Sequence, residues 1–359
     1  MATTLLGPML PGLSARWAIS DAAAGALFTA QFAGTLTTTF FSSAIAGRFG
    51  ASRTLALGFL LLSAGIGALG VASSSFGWAF TVLYGLGLGL VLPLTNNVVA
   101  SLAGAKAASA LSLVNVAWGV GAMTWPLVVR AGGLVDARAP TTLLAAAALV
   151  MAVSWAATPA ANASNGLTHS EPADDDRRGR VRPAIALYGA LILLYVGSET
   201  ALSGWATEFA RRMPGGGVLW TYAATAFWAS QTAGRLVAPV SIRLIGETRL
   251  LVLSLGLGCA ATLAMVGLVG TAAQVMVVAA LTGFALAPVF PLLWARVMRD
   301  VTPVWPAAAG PLFAAGGLGG AAIPWSVGVV SGGYGLGAGL AVPLVSLAAM
   351  LALTLTRRT

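Results

Sequence analysis

Apolar runs of about 20 residues alternate with short polar breaks from one end of the chain to the other. The runs fall at 2–13, 21–46, 54–72, 77–102, 108–130, 140–160, 184–207, 217–242, 250–270, 273–295, 305–330 and 336–356. Each except the first is long enough to cross about 30 Å of hydrocarbon as a helix. The longest polar break, 161–183, reads ANASNGLTHSEPADDDRRGRVRP and has the composition of a mobile loop. It leaves six runs on either side. The pattern predicts an all-α membrane protein of about twelve transmembrane helices. They form two pseudo-symmetric six-helix bundles, 1–160 and 184–359, joined by a linker at 161–183.

The first run is the exception. About a dozen apolar residues precede the polar stretch Ser14–Asp21, too few to cross the bilayer. No basic residue leads them, so they do not form a signal peptide. The expectation is a first helix truncated by a start placed inside it.

Composition narrows the classes. Of 359 residues, 58% are hydrophobic and 8% charged, against about 25% charged in a soluble domain. Mean hydropathy is +0.89. Soluble globular, disordered and disulfide-stapled classes are thereby excluded. Cys259 is the only cysteine and His169 the only histidine, so neither a disulfide nor a Cys/His metal centre can form within the chain. A serine triad would need His169, which lies in the linker. The run GLGLGL at 85–90 lacks the preceding strand and following lysine of a phosphate loop. No enzyme activity and no cofactor are expected, and any transport must be secondary.

The net charge of +9 sits on loops and reads as topology, so no nucleic-acid partner is expected. Thirteen of the nineteen bases lie on one set of alternate loops, among them Arg48, Arg53, Arg243, Arg249, Arg296 and Arg299. Five, Arg16, Arg130, Arg138, Arg211 and Arg212, lie on the other, and Arg235 lies inside a run. This asymmetry predicts a cytoplasmic linker and a cytoplasmic C-terminus in an inner membrane. Trp17, Trp78, Trp205, Trp220 and Trp305 fall near run ends, where interface anchors are expected.

The halves repeat. Phe28-T-A-Gln31-F-A-Gly34 matches Trp228-A-S-Gln231-T-A-Gly234 at an offset of 200. Gly85 to Pro93 matches Gly283 to Pro291 at 198, and Gly119, Gly121 and Pro126 match Gly317, Gly319 and Pro324 at the same offset. Copies six segments apart run parallel through the membrane. Such repeats place a solute site at their interface, near the midplane.

Over nearly its whole length the chain resembles the major facilitator superfamily. LYVGSETALSGWATEF (194–209), FWASQTAGRL (227–236), GLGLGLVLPLTNN (85–97) and LSLVNVAWGVGAM (111–123) are similar to the fucose permease and sodium-dependent glucose transporter group. The resemblance implies alternating-access transport of a sugar, such as the hexose glucose, with a coupling proton or sodium ion, or as a uniporter. It also marks two departures. In SAIAGRFGASR (43–53), Gly47 stands where the superfamily's gate-latching Asp is expected, while Arg48 and Arg53 remain as gating residues. Leu92 stands where proton-coupled fucose permeases carry a fourth-helix Glu.

Polar residues inside a span are costly and mark pathways by default. Glu199 is the one acid placed deep in the bilayer, as acceptor of a substrate hydroxyl or as a coupling-proton site. Tyr195, one turn earlier, would orient it. Phe28 with Gln31 and Trp228 with Gln231 pair an aromatic with a carboxamide on one helix face, which suits a pyranose. Asn96, Asn97, Asn115 and Trp118 complete the substrate-binding candidates. Counted from run ends, Arg235 lies about 9 Å nearer the cytoplasm than Glu199. It is expected to snorkel or gate and not to pair with Glu199. Glu208 is expected to be solvated at the periplasmic end. An apolar cavity would instead favour the alternative, an exporter of drugs or other small organic solutes.

Overall fold

The protein is described by a computed structural model, covering residues 1–132, 138–158, 175–215, 217–305 and 308–356. Among them every regular element is helical. The first half holds α1 (Leu6–Trp17), α2 (Asp21–Phe49), α3 (Ala51–Val71), α4 (Ser74–Ala103), α5 (Ala107–Ala131) and α6 (Arg138–Ala157). The second holds α7 (Asp175–Arg211), α8 (Ala223–Ile245), α9 (Glu247–Gly267), α10 (Ala272–Leu286), α11 (Val289–Asp300), α12 (Ala309–Tyr334), α13 (Leu336–Gly339) and α14 (Ala341–Thr356).

Two expected runs are each broken into two helices. The run at 273–295 becomes α10 and α11, interrupted at Ala287-Pro288, because proline has no N–H to continue the ladder. The run at 336–356 becomes α13 and α14. Two boundaries also move. α1 continues through Ser14 to Trp17, where a loop was expected, and spans 12 residues. α7 starts at Asp175, so the last third of the expected linker is helical. The remainder, 161–174 with His169, lies outside the described residues.

Among the described residues, nine helical stretches are long and apolar enough to cross a membrane. α2 and α8 match them in length but are more polar. α2 carries Thr29, Gln31, Thr35, Thr37, Thr38 and Thr39, and α8 carries Thr225, Ser230, Gln231, Thr232 and Arg235. These are the helices that begin the sequence repeat, and both line the interface between the halves.

Glycine sets the helix spacing. A Cβ on Gly85 would lie 2.2 Å from the carbonyl oxygen of Gln31, and one on Gly283 would lie 2.2 Å from that of Phe227. The α2/α4 and α8/α10 crossings are thus made backbone to backbone, as small residues permit in membranes. The repeat also appears in the joints. Gly50 (φ 86°, ψ 152°) links α2 to α3, and Gly246 (φ 80°, ψ 157°) links α8 to α9. That conformation is open to glycine and strained for other residues.

Of the expected interface tryptophans, two are core residues. Trp205 is fully buried and donates from Nε1 to Pro324 O at 3.1 Å. Trp17 is buried and donates to Ala72 O at 2.9 Å. A run end is not a membrane boundary where the next helix covers it.

Candidate functional site

α7 and α8 bring the deepest charges together. Glu199 lies twelve residues before the end of α7 at Arg211, and Arg235 twelve residues after the start of α8 at Ala223. Both ends are on the same side of the protein, so the two residues share one depth. Arg235 Nη2 is 3.7 Å from Glu199 Oε1. The expected separation was wrong because it was measured from apolar run ends, whereas the helices extend beyond those runs. The distance defines an ion pair but exceeds a hydrogen bond.

Oε1 of Glu199 is occupied by neighbours. Tyr195 donates to it from its hydroxyl, and Gln231 donates from Nε2, each at 2.5 Å. Tyr195 therefore orients Glu199, as its one-turn spacing suggests. Oε2 takes no bond from the described residues. Nε of Arg235 is buried without a partner among the described residues.

Rings from both halves enclose this cluster. Trp118 of α5 and Trp228 of α8 meet edge to face at 5.2 Å. The Arg235 guanidinium lies 5.3 Å from the centre of the Trp118 ring, within cation–π range. Tyr195 continues to Phe290 at 5.9 Å and then to Trp294, whose ring stacks on Phe290 at 13°. Phe290 and Trp294 were not singled out in the sequence, where aromatics next to Pro291 carry no periodic signal. The break between α10 and α11 turns them inward.

The other candidates separate. Gln31 is buried, and its Oε1 accepts from the buried hydroxyl of Tyr84 at 2.7 Å inside the first half. Phe28 is buried against Gly204 of α7. Asn96, Asn97 and Asn115 are exposed on α4 and α5, towards the end that bears Arg48, Arg53 and Lys106. Arg48 lies over the Phe49 ring at 5.7 Å, and Arg53 is exposed.

The halves meet at one end. On α2 the contacts run from Asp21 to Leu36, and on α12 from Gly317 to Ser331. Thr29 donates to Ala321 O at 2.8 Å. A Cβ would come within 2.2 Å of Asp21 O on Gly328, and within 2.8 Å of Pro324 O on Gly25. Further along α2, Phe40 and Phe41 are exposed. The halves are thus sealed together at the end holding Asp21, whereas Arg48 and Arg243 at the other end are exposed.

A latch fastens the sealed end. Arg212, just past α7, grips Asp21 of α2 with two bonds of 2.5 and 2.8 Å. Ser331 of α12 donates to the same carboxylate. Arg212 also bonds Glu208 at 2.8 Å, as does Arg211 at 2.6 Å. Glu208 is 1% exposed, a correction to its expected solvation, because two guanidinium groups replace its water. Asp21 gave no sequence signal beyond its place behind the N-cap Ser20.

The model of the Major Facilitator Superfamily matches residues 1–324. The chain belongs to the major facilitator superfamily. A variant of the nucleoside transporter NupG has the same fold, with a TM-score of 0.80 at 14% identity, over 98% of this chain and 94% of that one. The D-xylose-proton symporter gives 0.71 at 14%, over 98% and 93%. A variant of the E. coli fucose:proton symporter FucP gives 0.62 at 15%, over 99% and 97%. In sequence, the multidrug efflux protein YfmO of Bacillus subtilis (strain 168) is 33% identical over 144 residues. That match covers 39% of this chain and 36% of YfmO. This superfamily member is a membrane transporter and not an enzyme.

Proposed function

We propose that this superfamily member is a secondary transporter of a hydroxyl-rich solute of sugar size, in the hexose class, working by alternating access. Supporting it is the central cluster: a carboxylate with one oxygen fixed by Tyr195 and Gln231 and the other free, beside the Trp118 and Trp228 rings. A free carboxylate oxygen accepts a hydroxyl, and an indole suits the apolar face of a sugar ring. Gln31, Phe28, Asn96, Asn97 and Asn115 would add contacts from the first half as it closes. Units 1–160 and 184–359 rock about this point, with Arg48 and Arg53 at the gate of the end opposite the seal. The basic loops put that end, the linker and the C-terminus in the cytoplasm. A proton or sodium ion would be the coupling partner if transport is uphill.

Counterflow of a labelled sugar panel in proteoliposomes tests this. Exchange of one sugar, with weakened apparent affinity in Gln231→Ala, is the expected result. No exchange of any sugar by folded protein would refute it. The identity with YfmO favours a second reading, export of small organic compounds, for which exchange of lipophilic cations in the same vesicles would be decisive.

A further inference from the structure

We propose that the solute carries a carboxylate, as a sugar acid does, and that Arg235 receives it. This rests on the sugar-class reading above and narrows it. Arg235 is the one base inside a predicted span. A guanidinium at that depth is expensive, so its bonds should be filled. They are not. Nε is buried without a partner among the described residues, and Nη2 stops 3.7 Å short of Glu199 Oε1.

Neutralising Glu199 does not account for this geometry. Tyr195 and Gln231 already give Oε1 two hydrogen bonds and hold it in place. An arginine whose task was to satisfy Glu199 would close to hydrogen-bonding distance, side by side with the carboxylate. Here it stands off as a charge, with Tyr195 the other side chain within reach of the guanidinium's planar donor fork and Nε without a partner among the described residues. Trp118 lies over the guanidinium at 5.3 Å, which orients the fork as stacking on an aromatic face does. Two parallel N–H donors match the two oxygens of a carboxylate, whereas a neutral hydroxyl uses only one. The free Oε2 of Glu199 is then left for a hydroxyl on the same molecule. Acid group and hydroxyl are recognised by neighbouring side chains of α8 and α7, and the ring between them faces Trp118 and Trp228.

The test measures equilibrium binding of D-glucuronate, D-glucuronamide and D-glucose to the purified full chain by calorimetry. The amide keeps the shape of the acid and removes its charge. The parent should bind glucuronate on the order of ten- to a hundredfold more tightly than either neutral ligand. Arg235→Lys keeps the charge beside Glu199 but loses the fork, and should erase most of that preference. Arg235→Gln should erase it wholly, and if that variant fails to fold, the lysine variant and the ligand comparison still decide. Glucose bound as tightly as glucuronate would overturn the proposal and leave the sugar reading standing. So would an undiminished preference in Arg235→Lys. Binding of none of the three, with lipophilic cations exchanged in vesicles, would overturn the sugar reading and this proposal with it.

Discussion

Gly328→Ala should push the sealed end open. The new Cβ would sit 2.2 Å from Asp21 O and 3.3 Å from Ala22 Cα, where ordinary contact is 3.4–4 Å. Both neighbours are backbone, so no side chain can swing aside and α2 must move by more than 1 Å. Overpacking of this kind costs about 1–3 kcal/mol. The cost falls only on the form in which α2 and α12 touch. The better helix propensity of alanine, about 1 kcal/mol, applies to α12 in both forms and cancels between them. The equilibrium between the forms should therefore shift by roughly 5- to 150-fold towards opening. The assay replaces Cys259 by alanine and puts spin labels at Ser73 and Gly333, at the sealed ends of α4 and α12. The distance distribution should gain a longer component. Gly332→Ala is the control, since nothing lies within 4 Å of its Cβ position. An unchanged distribution in Gly328→Ala, with normal folding, would refute the steric account of the seal.

Three further outcomes are expected. Arg212→Gln removes the two-bond grip on Asp21 and leaves buried Glu208 with Arg211 alone. The same labels should report opening, and an unchanged distance would mean that glycine contacts hold the seal unaided. Gln231→Ala should weaken solute binding by about 0.5–1.5 kcal/mol, since it removes a donor that fixes Glu199; unaltered affinity would make Gln231 a helix tie. Gln31→Ala should weaken binding similarly and also cost about 1–3 kcal/mol of stability, because the buried Tyr84 hydroxyl loses its acceptor. Thermal unfolding separates the two effects, and an unshifted midpoint would show that Tyr84 finds another partner.

The twelve-run pattern follows from length and hydropathy alone, because a helix that crosses lipid must be apolar over its whole span. The repeat was legible for a related reason. Glycines at 85 and 283 meet the backbone of α2 and α8 in the same way, so equal packing demands equal residues. Tyr195 and Glu199 were legible through one helical turn on one face. The Glu199–Arg235 pair was not, because it depends on where two helices truly end. Asp21 and Arg212 were hidden for another reason. Their contact joins residues 191 positions apart, and near a membrane surface a lone charge gives no sign of its partner. Trp205 looked like an anchor because hydropathy cannot tell lipid from the face of α12.

The central cluster is lopsided. Tyr195, Glu199, Gln231, Arg235 and Trp228 all belong to the second half, and Trp118 is the first half's contribution to the rings around them. A solute held there rides with the second half as a passenger. When the halves swing, its bonds to the second half stay made and only the first half's contacts change. The barrier to swinging then contains only the first half's share of the solute's binding energy. Tight and loose solutes should cross at similar rates once aboard and differ mainly in how long they take to disembark.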